Sequence, residues 1–301
     1  MFDLVFLGTS ASVPSPERNQ SGLLIAAAGQ RLLVDCGEGT QRQLFRSGAG
    51  FRRLGRILLT HGHLDHILGL PGLLSTLGLQ ERHETLTLHG GPQTLRLIAD
   101  LMAALWGEGN APVALELAPL TAGLVASDDG IAIGCFPVRH RDTDSFGFTF
   151  ESAARRHLRP ERLAELEIPD GPVRKELAAG RPAKLPDGRT IDPEAVLGPP
   201  TAGTKLAVVG DTETTAGLAE PAHGADALVI EATFLDRDAA VARSYGHLTA
   251  AEGAALARAA GVKRLILTHI SGRYRTEELL AEAREIFPAT EIAADLQRLT
   301  V

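Results

Sequence analysis

Three imidazoles and a carboxylate share the six residues His61-Gly62-His63-Leu64-Asp65-His66, and a fold must give such a cluster something to hold. The cluster directly follows the short apolar run Arg56-Ile57-Leu58-Leu59-Thr60, which reads as a buried strand. Ligands at a strand end sit on a rigid support, where a metal site is best built. Imidazole nitrogen and carboxylate oxygen suit zinc or manganese. The His-x-His-x-Asp-His spacing supplies two neighbouring ions, with His61 and His63 serving one and Asp65 and His66 the other.

The chain repeats the device. Arg264-Leu265-Ile266-Leu267-Thr268-His269 echoes the segment that ends in Thr60-His61. Two further apolar runs, residues 134–140 and 206–211, end in His140 and Asp211. The simplest geometry gathers these four strand ends at one edge of two packed sheets. Helical segments lie between. Residues 91–105 read as a helix opened by Pro92. Residues 250–260 form another, started by the capping box Thr249-Ala250-Ala251-Glu252 and stopped by Gly261. Strands alternating with helices give an α/β class with sheets covered by helices.

Composition sets outer bounds. With 301 residues, 44% of them hydrophobic, a large core is available. A net charge of −7 argues against a general nucleic-acid coat, though not against local basic patches. Cys36 and Cys135 are far apart and lack CxxC spacing, so no disulfide framework is expected and a reducing cytoplasm is the simpler setting. The start alternates like a strand and has no basic signal-peptide region, and no apolar run reaches transmembrane length.

Seven candidate ligands result: His61, His63, Asp65, His66, His140, Asp211 and His269. That is enough for two ions if one carboxylate bridges, and two ions ~3.5–4 Å apart clamp the attacking and leaving oxygens of a phosphoryl transfer. Taken alone, His140 and Asp211 are ordinary strand-end groups; they gain weight only with the central motif. Asp65, between ligands, is placed both to bind metal and to orient an acidified water. A second group can serve the leaving oxygen. The run 229–234 carries Glu231, and His247 stands just before a helix N-terminus, which attracts phosphate through free N–H groups. A Glu–His pair fixes the tautomer and raises the basicity of the ring, so His247 can donate a proton to a departing 3′-oxygen.

Arg42, Arg46, Arg52, Arg53 and Arg56 crowd residues 41–56 without an acidic neighbour, and Arg273 lies four residues past His269. They suit a phosphate backbone, or else simply a solvated face. Residues 151–200 are rich in proline. Within 171–191, Arg174, Lys175, Arg181, Lys184 and Arg189 face only Glu176 and Asp187, so the segment reads as a basic insertion or as a surface excursion. His83, His89, His157 and His223 lack ligand context and are expected at the surface.

Together these motifs resemble the metallo-β-lactamase superfamily and, within it, the ribonuclease Z family of tRNA 3′-processing endonucleases. The resemblance rests on Phe6-Leu7-Gly8-Thr9, residues 34–41, the HGHLDH motif, Leu70-Pro71-Gly72-Leu73-Leu74, Val209-Gly210-Asp211-Thr212, Glu231-Ala232-Thr233-Phe234, and Thr268-His269-Ile270-Ser271 with Arg273-Tyr274. It implies one αββα sandwich over residues 1–301, two zinc ions per subunit, a homodimer and precursor tRNA as substrate. His61, His63 and His140 would hold one zinc, Asp65, His66 and His269 the other, and Asp211 would bridge. Asp65 takes the role of proton acceptor, and His247 with Glu231 assists the leaving group. Cleavage would fall just 3′ of the discriminator base, leaving a 3′-hydroxyl on the tRNA and a 5′-phosphate on the trailer.

The resemblance also makes residues 151–200 an inserted arm that grips tRNA, with Gly171-Pro172, Arg174 and Lys175 as contacts. Residues 14–19 become a loop at the substrate end, with Arg18 and Asn19 as contacts, and Arg273 joins them. Ile230, Leu248 and Pro16 stand where the family often has His, Ser and Lys, and Ala178-Ala179-Gly180 replaces a more basic run, which predicts a more salt-sensitive grip. The competing reading is a small-molecule hydrolase on the same fold, a phosphodiesterase, arylsulfatase or lactonase. It has no need of the arm or the arginine-rich segment.

Overall fold

The computed structural model describes every residue except Arg82, His83 and Asp129, so the expectation for His83 lies outside the described residues. Numbering elements in chain order, the first sheet holds β1 (Asp3–Gly8), β2 (Gly22–Ala27), β3 (Gln30–Val34), β4 (Leu54–Leu58), β5 (Leu86–Gly90) and β6 (Leu115–Pro119). The second holds β7 (Gly123–Asp128), β8 (Ile131–Val138) and β9 (Ser145–Ser152), continued after the intervening segment by later strands. That segment carries β10 (Arg155–Leu158), β11 (Ala183–Lys184), β12 (Thr190–Ile191) and β13 (Leu197–Thr201). The second sheet resumes with β14 (Lys205–Val208), β15 (Ala227–Glu231), β16 (Leu265–Thr268) and β17 (Thr290–Ile292), and β18 (Arg298–Thr300) returns to the first.

The first sheet runs β18-β1-β2-β3-β4-β5-β6 and the second β17-β16-β15-β14-β9-β8-β7. In each, one half is parallel, β3 to β6 and β14 to β17. The period-two side-chain rule explains how such strands can be apolar on both faces. In β1, Leu4 and Phe6 enter the cluster between the sheets, while Val5 and Leu7 face the opposite way. In β15, Ala227 and Val229 point inward, and Leu228 and Ile230 pack outward. Ile230, at the position where the resemblance leads to histidine, is therefore a core side chain.

Helices cover both outer faces. On the first sheet lie α1 (Thr40–Arg46), α2 (Leu64–Ile67), α3 (Leu70–Leu79) and α4 (Pro92–Trp106). The segment between β10 and β11 adds α5 (Pro160–Glu165) and α6 (Pro172–Ala178). The second sheet is covered by α7 (Ala219–Ala222), α8 (Ala239–Tyr245), α9 (Ala250–Ala260) and α10 (Thr276–Ile286). The layers are thus α, β, β, α. The helix expected to start at Pro92 and the one over 250–260 both form, and α9 has the full capping box and ends at Gly261 with φ 63°.

The chain divides into two compact units, residues 1–151 with 205–301, and residues 152–204. The smaller unit has an apolar cluster of its own around Leu163, Ile168, Leu177 and Val196. Within it Arg174 pairs with Asp170 and also donates to the Ile168 carbonyl, Arg181 pairs with Glu176, and Arg189 with Asp187. Three of the five basic residues counted in 171–191 are thus tied within the unit. Lys175 and Lys184 are exposed and have no ion-pair partner among the described residues. Arg174, expected as a tRNA contact, is held by these partners within the unit. Both cysteines are free and buried.

Candidate metal centre

Most of the ligands follow the carboxyl ends of parallel strands, where open α/β sheets place ligands, and His140 follows the antiparallel β8. Two residues past β4 comes Thr60-His61, and the extended His63 then starts the single turn α2, which carries Asp65 and His66. Val138 ends β8 ahead of His140, β14 leads to Asp211, and His269 follows β16. The backbone is tight at α2: a Cβ on Gly69 would meet the Gly37 carbonyl at 2.1 Å. Both Asp35 and His269 adopt positive φ, 57° and 55°, conformations that L side chains adopt only where the surroundings enforce them.

All seven expected ligands converge, in two sets that share one carboxylate. Asp211 Oδ2 lies 3.8 Å from Nε2 of His61 and 3.8 Å from Nε2 of His140, and His140 Nε2 is 3.1 Å from His63 Nδ1. Asp211 Oδ1 lies 3.4 Å from Nε2 of His66 and 3.3 Å from Nε2 of His269, and Asp65 Oδ2 is 3.6 and 3.3 Å from the same two nitrogens. Donors bonded at about 2.0–2.1 Å to one tetrahedral ion stand roughly 3.3 Å apart, so both sets have the right spread.

The fit is tested by what the buried atoms lack. His61 Nε2, His66 Nε2 and Asp211 Oδ1 are buried without a hydrogen-bond partner. Buried polar atoms rarely stay unsatisfied, and these three, one in the first set and two in the second, are what a cation in each set would satisfy. Partners on the far side of the rings aim them. Nδ1 of His61 meets Thr60 Oγ1 at 3.0 Å, Nδ1 of His66 meets Asp35 at 2.8 Å, Nδ1 of His140 meets the Gly246 carbonyl at 2.8 Å, and Nδ1 of His269 meets Thr233 Oγ1 at 3.0 Å. Such contacts fix the tautomer that leaves the Nε2 lone pair free for metal.

Electrostatics agree. Burial, helped by neighbouring imidazoles, lowers the pKa of His61 and His63, and burial outweighs Asp211 at His140, so these rings favour the neutral, ligating form. At His66 burial is overcome by Asp211 and Asp35, which favour positive charge at that point, whether a proton or a metal ion. Asp65 is held below the usual carboxylate range, against its own burial, by His269 and His66.

Beside the ligands sits the expected pair. Glu231 is fully buried and meets His247 Nδ1 at 3.0 Å, while Thr212 N and Thr233 Oγ1 donate to its two oxygens. Burial lowers the His247 pKa, but the charge and hydrogen bond of Glu231, together with Asp211, raise it to about 9. His247 also lies near Asp211 and His269 as a third possible ligand group, yet its Nδ1 is taken by Glu231.

Several expectations need correction. The start of α9 is not open to phosphate: Ala250 N donates to the Phe234 carbonyl, Ala251 N to Glu282, and Glu252 N to Thr249 Oγ1. Arg18 turns inward, donating to Thr9 Oγ1, the Ala293 carbonyl and Thr276 Oγ1, and Asn19 donates to the Gln20 and Glu38 carbonyls. Both residues, expected as substrate contacts, brace the loop through these bonds. His89 is buried, whereas His157 and His223 are exposed. Arg273 is exposed near the centre, its guanidinium 5.8 Å from the Phe234 ring, and Leu248 is a core residue. Gly171 and Pro172 open α6 in the smaller unit. Asp35, Thr60, Thr233 and Gly246, which aim the rings, were not expected as site residues, although Asp35 and Thr233 lie in motifs that carry the resemblance.

Residues 2–152 match a family model described as "Anti-Pycsar protein Apyc1", and residues 181–270 match a "Beta-lactamase superfamily domain". The chain is 65% identical to a protein of Bradyrhizobium diazoefficiens named "Ribonuclease Z", over 100% of both chains. It is 38% identical to one of the same name from Methanothermobacter thermautotrophicus, over 100% of this chain and 97% of the other. Among solved structures it is similar to human tRNase Z, short form, with 25% identity, a TM-score of 0.69 and 99% of each chain covered.

Proposed function

The chain belongs to the ribonuclease Z family, and on that premise we propose that it cuts precursor tRNA just 3′ of the discriminator base. The products would be a tRNA ending in a 3′-hydroxyl and a trailer with a 5′-phosphate. The observation that carries the reading is the double ligand set joined through the two oxygens of Asp211, with the His247–Glu231 pair against it.

Two zinc ions fit the donors, His61, His63, His140 and Asp211 holding one and Asp65, His66, His269 and Asp211 the other. Bound there, they would supply Lewis acidity to the phosphoryl oxygens and acidify a water toward neutrality. The protein's own groups do the rest. Asp65, whose low pKa keeps it a carboxylate, accepts a proton from the attacking water and orients it. Its Oδ2 is in turn positioned by the Ser12 N–H at 3.1 Å. Glu231 holds Nδ1 of His247, which leaves Nε2–H to protonate the departing 3′-oxygen. Arg273, exposed beside Phe234, would meet a backbone phosphate.

The unit of residues 152–204, with exposed Lys175 and Lys184, would grip the tRNA body. A homodimer is the working form on this reading, and the exposed Leu64 and Leu68 at α2 are apolar surface for a second copy to cover. The free, buried cysteines support a reducing, cytoplasmic setting. Among the described residues no helix is long and apolar enough to cross a membrane.

A small-molecule hydrolase on the same fold is the second reading, because one fold hosts many chemistries. A 5′-labelled precursor tRNA with a 3′ trailer, incubated with and without chelator, separates the two. One chelator-sensitive product ending at the discriminator supports the endonuclease. An intact precursor alongside turnover of a small phosphodiester overturns it.

A further inference from the structure

We propose that the exposed ring of Tyr245 is the stacking platform for the discriminator base, with Arg273 holding a neighbouring backbone phosphate; this rests on the endonuclease reading above.

Tyr245 is one of two tyrosines in the chain and ends α8. It is 55% exposed, and its hydroxyl makes no hydrogen bond among the described residues. Its ring is nevertheless held in orientation, lying 13° from parallel to the Phe234 ring at a centroid distance of 6.4 Å. Phe234 is buried, and it is a hub. The His247 ring is 6.2 Å from it, the Arg273 guanidinium 5.8 Å, and Tyr274 meets it edge-on at 6.3 Å. One buried ring is therefore a shared neighbour of an exposed aromatic, an exposed cation and the proposed acid.

The turn that follows adds to the placement. Gly246, at φ 75°, reverses the chain between Tyr245 and His247, and its carbonyl fixes His140. Tyr245 is thus tied by two residues of chain to the group that protonates the leaving oxygen. That oxygen is the O3′ of the discriminator nucleotide, so its base is the one in reach of Tyr245. Bases at a single-stranded tRNA end have free faces, and an aromatic ring takes any of them without polar readout. A discriminator site needs that tolerance, because it must accept different bases at one fixed position of cleavage. An arginine alongside completes the pattern of aromatic face and phosphate cation used for single strands.

The test compares wild type, Tyr245→Ala and Tyr245→Phe, all metal-loaded, on a 5′-labelled precursor. Zinc content, KM, kcat and the position of the cut are recorded. Tyr245→Ala should raise KM about tenfold, with a smaller change in kcat, and should spread cuts over adjacent positions. Tyr245→Phe, which keeps the face and loses only the hydroxyl, should restore a single cut and the wild-type KM. A Tyr245→Ala enzyme with wild-type KM and a single cut would overturn the proposal. So would loss of zinc in that variant, because Tyr245 would then act by holding the Gly246 turn and His140. If wild type itself leaves the precursor intact, the endonuclease reading fails and the platform with it, an outcome distinct from any result for the variants.

Discussion

Glu231 and His247 are 16 residues apart in sequence and 3.0 Å apart in space, and the carboxylate of the pair has no solvent contact at all. A buried charge of this kind is tolerated only when its partners are in place, and Glu231 has three: His247, Thr212 N and Thr233 Oγ1. Glu231→Gln should lower kcat on precursor tRNA by roughly 10- to 100-fold and His247→Ala by about 100-fold or more. The sign of the pH effect follows from the same contact. Glu231 raises the His247 pKa, and the acid form is lost as pH rises through that value. Removing the charge should therefore move the alkaline limb of the rate profile to lower pH. An unmoved limb in Glu231→Gln would mean that another group supplies the proton.

Asp65 touches both His66 and His269 and faces the space between the ligand sets. Asp65→Ala should reduce cleavage by about a thousandfold or more, while a gel-shift measurement still detects tRNA bound at close to wild-type affinity. Turnover at the wild-type rate would contradict its role as proton acceptor.

Asp35 never reaches the ligand space, yet its carboxylate accepts from Thr60 N at 2.8 Å and meets His66 Nδ1 at 2.8 Å. Asp35→Asn should weaken metal affinity by about 10- to 100-fold. Chelator titration followed by atomic emission would show it, and equal retention of metal in variant and wild type would argue that the His66 ring is aimed by packing alone.

Gly246 combines positive φ with close neighbours: a Cβ there would approach the Arg141 Cγ to 2.7 Å and His140 Nδ1 to 3.2 Å. Gly246→Ala should cost about 1–2 kcal/mol from the backbone conformation alone, read as a lower midpoint in urea. His140 should also be displaced, so zinc content should fall with stability. A midpoint equal to wild type would contradict this account.

Lys175 and Lys184 are the basic residues of 171–191 that are not engaged in ion pairs among the described residues. Replacing both with alanine should weaken tRNA binding and lower the slope of log affinity against log salt by about 1–2. The same slope in variant and wild type would show that the tRNA does not lie against these lysines.

Much of the centre was legible because the chemistry forces its residue types into sight. Four groups in six residues, and the repeat of a Thr-His strand end, announce ligands before any fold is known. The helix over 250–260 was equally plain, since capping is a local interaction. What stayed hidden depended on contacts distant in sequence. Nothing adjacent to Arg18 tells that its guanidinium finds Thr9, Ala293 and Thr276. The charge count of 171–191 saw Arg174 but stopped short of Asp170, its partner. His89 looks like a surface residue until β5 is paired between β4 and β6. The first turn of α9 looked open because the carboxylate that occupies it comes from Glu282, 31 residues away.

The shared carboxylate of Asp211 has a bearing on the order of events at the ribosome. The set of His61, His63, His140 and Asp211 exists in full once residue 211 has been translated, but the other set waits for His269, 204 positions beyond Asp65. The residues of the two sets therefore become available one set after the other during synthesis. Over the 57 residues between Asp211 and His269, the growing chain contains every member of one ligand set and still lacks the last imidazole of the other.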